Sequence, residues 1–120
     1  MNFGLRRIAL GLAFTLVSSV LASAHAILLK SMPAPNEVIA GHDVPIALTF
    51  NSKIDQARST LTLERPDHVT SRLEIQTDPS SASKLVTGAL NLESGSYKLR
   101  WQVLAVDGHI TRGEITFKVK

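Results

Sequence analysis

The chain has 120 residues, with 13 Lys and Arg against 10 Asp and Glu, four His and no Cys. That length holds one domain with a single core. The absence of cysteine excludes a disulfide scaffold, thiolate redox chemistry and a sulfur-rich metal site.

Residues 1–24 read as an export signal. Arg6 and Arg7 supply a positive start, Ile8 to Val17 an apolar stretch of about ten residues, too short to span a bilayer easily, and Ala22-Ser23-Ala24 the small residues of a cleavage site. An uncleaved membrane anchor and a twin-arginine signal are the alternatives, and the surroundings of Arg6-Arg7 fit the latter poorly. Cleavage after Ala24 leaves 96 residues beginning at His25. Without Arg6 and Arg7, 11 cations face 10 anions, a net of +1, so no nucleic-acid partner is expected. No later stretch is apolar enough to cross a membrane, and the mature protein is expected to be soluble, periplasmic and monomeric.

The remainder reads as strands in succession. Ala26 to Lys30 is a short apolar run, stopped by Pro33 and Pro35. Val44 to Phe50 alternates, with Val44, Ile46, Leu48 and Phe50 on one face, and Pro45 points to an edge or strand-start position. Leu61 and Leu63 mark the next strand, Leu73 and Ile75 another, and Leu85 to Leu90 a further one. Asp78 to Ser83 reads as a mobile surface loop. After the turn Glu93-Ser94-Gly95-Ser96, residues Tyr97, Leu99, Trp101 and Val103 alternate, and Ile115, Phe117 and Val119 close the chain. No helical period survives beyond Ala24. The expectation is an all-β, roughly seven-stranded antiparallel Greek-key sandwich, immunoglobulin-like or cupredoxin-like.

Two features carry chemistry. A His25 freed at its N-terminus offers two nitrogens in one residue, the α-amine and the imidazole Nδ1, which can close a chelate ring. Amines and imidazoles shed their protons near neutrality, and nitrogen-rich sites with few ligands suit Cu(II). Far downstream, Asp107-Gly108-His109 sits between two strands. Gly108 permits a tight bend, so a carboxylate and an imidazole two residues apart can converge. Taken singly, His25 is equally a chance terminus and Asp107-Gly108-His109 an ordinary turn. In a sandwich the first strand can lie beside the end of a late one, which brings the two together as a candidate copper site of His25, Asp107 and His109. His42 and His68 read as loop residues, and Met32 is the one methionine beyond residue 24. Asp beside His also hints at a general base, but no placed nucleophile or oxyanion hole accompanies it.

The chain resembles the CopC domain family, the small periplasmic copper-binding domains of bacterial copper-resistance systems. The resemblance runs over residues 25–120. It rests on the opening His25-Ala26-Ile27-Leu28-Leu29-Lys30-Ser31-Met32-Pro33-Ala34, on Gly95-Ser96-Tyr97-Lys98-Leu99-Arg100-Trp101, and on Val106-Asp107-Gly108-His109. It implies a β-sandwich binding one Cu(II) through the α-amine and side chain of His25 with Asp107 and His109. It also implies an inner-membrane partner of the CopD type. Two departures stand out: Ser52 occupies the position where the family's fullest Cu(II) sites carry Glu, and the methionine-rich Cu(I) loop of some members is missing. The expected role is sequestration or delivery of copper without enzymatic activity. The other readings are a histidine-brace copper oxidative enzyme and an immunoglobulin-like module without metal.

Overall fold

The structure is a computed structural model and describes residues 25–120. The export segment expected over 1–24, and the cleavage after Ala24, lie outside the described residues. Eight strands follow in chain order: β1 (Leu28–Met32), β2 (Val38–Ile39), β3 (Val44–Phe50), β4 (Thr60–Glu64), β5 (Thr70–Leu73), β6 (Lys84–Ala89), β7 (Gly95–Leu104) and β8 (Ile110–Val119). They build a three-stranded sheet, β1-β3-β6, and a five-stranded sheet, β2-β8-β7-β4-β5. None of the described residues forms a helix long and apolar enough to cross a membrane.

The alternation of the sequence becomes the two inner faces, because successive side chains of a strand point to opposite sides. Val44, Ile46, Leu48 and Phe50 of β3, with Leu85 and Ala89 of β6, are buried on one side. Leu61 and Leu63, then Tyr97, Leu99, Trp101 and Val103, and Ile115, Phe117 and Val119 face them from the other. Tyr97 stacks on Phe117 with ring centres 5.4 Å apart. Its hydroxyl donates to the Glu93 carbonyl at 2.6 Å, so the buried ring keeps its polar end satisfied. Trp101 lies opposite Gly113 in the β7–β8 ladder. A side chain at Gly113 would strike the indole ring, so glycine there makes room for the largest residue of the core.

Some elements differ from expectation. The two-residue β2 runs parallel to β8, pairing Val38 with Lys118 and Ile39 with Val119, in an otherwise antiparallel structure. Pro45 lies in the central strand of its sheet and not at an edge. It is tolerated because β1 reaches along β3 only as far as Ala47, so Pro45 has a ladder neighbour only on the β6 side. Ile75 falls beyond β5. The stretch expected to be a mobile loop is a held turn: Pro79–Ser81 form one turn of 3-10 helix capped by the Asp78 side chain. The Gln56 amide donates to the carbonyls of Ser81 and Lys84 and its oxygen accepts from the Asp78 N–H, which pins both ends.

The outer face of the larger sheet carries a charge ladder. Arg100 on β7 reaches Glu64 on β4 at 3.2 Å and Glu114 on β8 at 3.0 Å. The Arg100 hydrogen bond holds the Glu64 carboxyl below the usual carboxylate range, against the smaller opposing effect of desolvation. A carboxyl whose pKa is depressed on folding adds stability above its unfolded pKa and gives it up as pH falls through the folded value. Arg100→Gln should therefore lower the melting temperature slightly at pH 7 and soften the loss of stability below about pH 4. Identical acid limbs for the two proteins would remove Arg100 as the cause of the shift.

Candidate metal centre

The site is assembled from two ends of the chain. At the first, Ala26 is fully buried and anchors the start of the described chain in the core, while His25 before it is exposed. Ile27 is held by the loop after β3: its N–H donates to Asn51 Oδ1 at 2.8 Å, and its carbonyl accepts from the Asn51 N–H at 2.9 Å. Leu28 then pairs with Phe50, and β1 continues along β3 after a bulge between Leu28 and Lys30.

At the second end, β7 and β8 form a long hairpin closing at Leu104 and Ile110. The Ala105 N–H donates to the His109 carbonyl at 2.8 Å, and the Gly108 N–H to the Ala105 carbonyl at 2.9 Å. Gly108 sits at φ +91°, in the region that disfavours side chains, so it permits the bend. Asp107 closes the turn on itself. Its Oδ1 accepts from the His109 N–H at 3.0 Å, and its Oδ2 lies 2.8 Å from His109 Nδ1.

The loop after β3 joins the two ends. The carbonyl of Lys53 accepts from the Val106 N–H at 3.4 Å, and the Asp55 N–H donates to the Leu104 carbonyl at 2.8 Å. Ile54 forms a bridge with Ala105. The outcome is that the rings of His25 and His109, 84 positions apart in the numbering, lie with their centres 5.1 Å apart at an interplanar angle of 67°.

The Asp107 carboxyl is held below the usual carboxylate range, chiefly by the hydrogen bond from the His109 ring. The His109 backbone N–H and the charges of His109 and His25 add to this, while desolvation opposes it. An ionised carboxylate can only accept, so in the neutral ring it is His109 Nδ1 that carries the proton and Nε2 that holds the lone pair. Asp107 thus sets the tautomer of a ring whose other nitrogen has no hydrogen-bond partner among the described residues. The His109 side chain is 57% exposed, so an ion can reach it directly.

Among the described residues, no three His, Cys, Asp or Glu side chains are gathered as a metal-holding group. The side chains here supply two imidazoles, with Asp107 committed to His109. Ser52, in the joining loop, has a buried hydroxyl with no hydrogen-bond partner among the described residues.

The remaining histidines lie at the far end of the sandwich. His42 precedes β3, and its Nδ1 lies 2.6 Å from the Leu92 carbonyl, which fastens the loop before β3 to the loop after β6. His68 lies in the β4–β5 connection at φ +67°, with Nδ1 3.7 Å from Glu64. Met32 is half exposed at the end of β1 remote from His25. Sequence reasoning missed Asn51. Its partner Ile27 is 24 positions away, and nothing local marks it.

The model of the CopC domain family matches residues 28–120. Protein YobA of Escherichia coli (strain K12) is 30% identical over 120 residues, covering 95% of this chain and 94% of that protein. Copper resistance protein C of Xanthomonas campestris pv. juglandis is 31% identical over 114 residues, covering 87% of each. Among solved structures, CopC from Methylosinus trichosporium OB3b superposes with a TM-score of 0.73 at 23% identity, covering 80% of this chain and 94% of that one. PcoC, a methionine-rich copper resistance protein from Escherichia coli, superposes with a TM-score of 0.62 at 23% identity, covering 81% and 100%. At such identities the two structures establish a shared fold.

Proposed function

The chain belongs to the CopC domain family, and from that premise we propose that it is an exported Cu(II)-binding protein of the periplasm that sequesters copper or delivers it to an inner-membrane partner of the CopD type. The observation that carries the reading is the approach of His25 and His109. An imidazole ligand holds a first-row metal about 2 Å from its nitrogen, which puts the ring centre roughly 3 Å from the ion. Two rings on one ion then have centres at most about 6 Å apart, and 5.1 Å lies within that limit.

The ion is cargo, and each residue has a part in holding it. Cleavage after Ala24 frees the α-amine of His25, which chelates together with the imidazole of the same residue. His109 adds its Nε2 from the hairpin. Asp107 orients that ring and raises its basicity, as carboxylates behind metal-bound histidines do. With Ser52 in place of a carboxylate, water completes the coordination. Nitrogen donors and a tetragonal preference select Cu(II). With no cysteine, and Met32 remote from the pair, the site has no soft ligand for Cu(I). The exposure of His109 suits an ion that is to be passed on.

The test is the intact mass of the exported protein with and without one equivalent of Cu(II), followed by a chelator competition for Cu(II) and Cu(I). The expected species begins at His25 and gains one copper, with Cu(II) held far more tightly than Cu(I). A different N-terminus, no copper uptake or preferential binding of Cu(I) overturns the proposal.

A further inference from the structure

We propose that Asn51 is the positioning residue that assembles this site, an inference that rests on the copper site proposed above. Asn51 makes two hydrogen bonds to Ile27. The one from its own N–H, at 2.9 Å, continues the β1–β3 pairing and is open to any residue but proline. The one to its Oδ1, at 2.8 Å, needs a side-chain oxygen at this distance from the backbone. It satisfies the Ile27 N–H, which lies two positions from His25 and outside the sheet ladder.

The consequence is geometric. His25 is the exposed end of a strand-start segment, and only Ala26, buried, and Ile27, clamped, stand between it and β1. Two positions after Asn51, Lys53 receives the Val106 N–H of the hairpin turn that carries Asp107 and His109. The loop over residues 51–53 is therefore a splint, with the chelating residue fixed to one end and the second imidazole to the other. Ser52, the intervening residue, turns an unpartnered hydroxyl inward and holds neither arm. Without the Oδ1 contact, the segment bearing His25 keeps one hydrogen bond to the splint instead of two. Each binding event must then order that segment beside His109, a cost that preorganisation otherwise removes.

The measurement is Cu(II) affinity by chelator competition for Asn51→Ala and Asn51→Asp, each alone and combined with His109→Ala, alongside the melting of the metal-free proteins. Asn51→Ala should bind Cu(II) roughly five- to tenfold more weakly, the scale of one hydrogen bond. Asn51→Asp, which keeps an oxygen for the Ile27 N–H, should bind within about twofold of the parent. Metal-free melting should stay near the parent's, because Asn51 is exposed and outside the core. In the His109→Ala background, where no second ring needs to be met, Asn51→Ala should change affinity by less than about twofold, the non-additivity of residues that act together. An Asn51→Ala protein with parental affinity overturns the inference, as does equal weakening in both backgrounds or failure of Asp to rescue. If His109→Ala itself leaves affinity unchanged, the copper site is wrong and the positioning role falls with it. That result is distinct from a working site that ignores Asn51.

Discussion

A protein that keeps even one residue ahead of His25 should bind Cu(II) roughly 10²- to 10⁴-fold more weakly than the protein that begins at His25, the advantage lost when two linked donors become one. The α-amine is a ligand only as a free terminus. Once it is part of a peptide bond its lone pair is delocalised into the carbonyl, and coordination there requires removal of an amide proton. The effect should be confined to the metal. The core between the sheets starts at Ala26 and is made of residues such as Leu48, Leu63, Leu99 and Phe117, none of which is a proposed ligand. Both proteins should therefore melt alike without copper, and only the mature form should gain stability on adding it, about 2.7 kcal/mol at a hundred times the dissociation constant. Equal Cu(II) affinities in a competition titration would remove the amine from the site. A metal-free protein without β-sheet circular dichroism would instead make copper a structural ion.

Legibility in the sequence followed the range of the interaction. The long strands β3, β7 and β8 announce themselves because one buried face imposes a period of two, and Val44 to Phe50, Tyr97 to Val103 and Ile115 to Val119 obey it. β2 does not. Two residues, Val38 and Ile39, are too few to show a period, and their partner is the last strand of the chain, in a parallel register that no local pattern encodes. Pro45 misled for a related reason: how far a neighbouring strand extends is a tertiary fact, and β1 stops short of it. The Asp78 to Ser83 stretch looked unstructured by composition. Its order comes from Gln56, more than twenty positions upstream.

The candidate site divides in the same way. Asp107-Gly108-His109 could be read directly, because a glycine bend between two strands brings residues i and i+2 together, and the Asp107 contact to His109 is local. His25 stood out through the cleavage motif before it, which lies outside the described residues. The sandwich fold class allowed these two halves to meet, but nothing local in the sequence encodes the join. It depends on Asn51 holding Ile27 and on Lys53 meeting Val106, contacts across 24 and 53 positions of the chain. The ordinary readings of His42 and His68 agree with the positions the structure gives them at the opposite end of the sandwich, and His42 proves to fasten two loops together.

His109→Ala should weaken Cu(II) binding about a hundredfold or more, because a ring held in place by the fold acts as a second linked donor. Unfolding should not mask the substitution: His109 is exposed, and the turn keeps its backbone bonds to Ala105 whatever side chain stands there. Asp107→Ala should cost less, roughly 10- to 100-fold, since in the proposed site its carboxylate acts by fixing the His109 tautomer. The two losses should not add. With His109 gone, Asp107 has no ring to orient, so the double variant should resemble His109→Ala alone. His68→Ala should leave affinity unchanged. His42→Ala should also leave affinity unchanged while lowering the melting temperature, because it removes the link to the Leu92 carbonyl. Paramagnetic resonance of the one-to-one complex should lose one nitrogen donor in His109→Ala and none in the His42 or His68 variants. A His42 or His68 variant that loses a nitrogen would put the copper at the other end of the molecule.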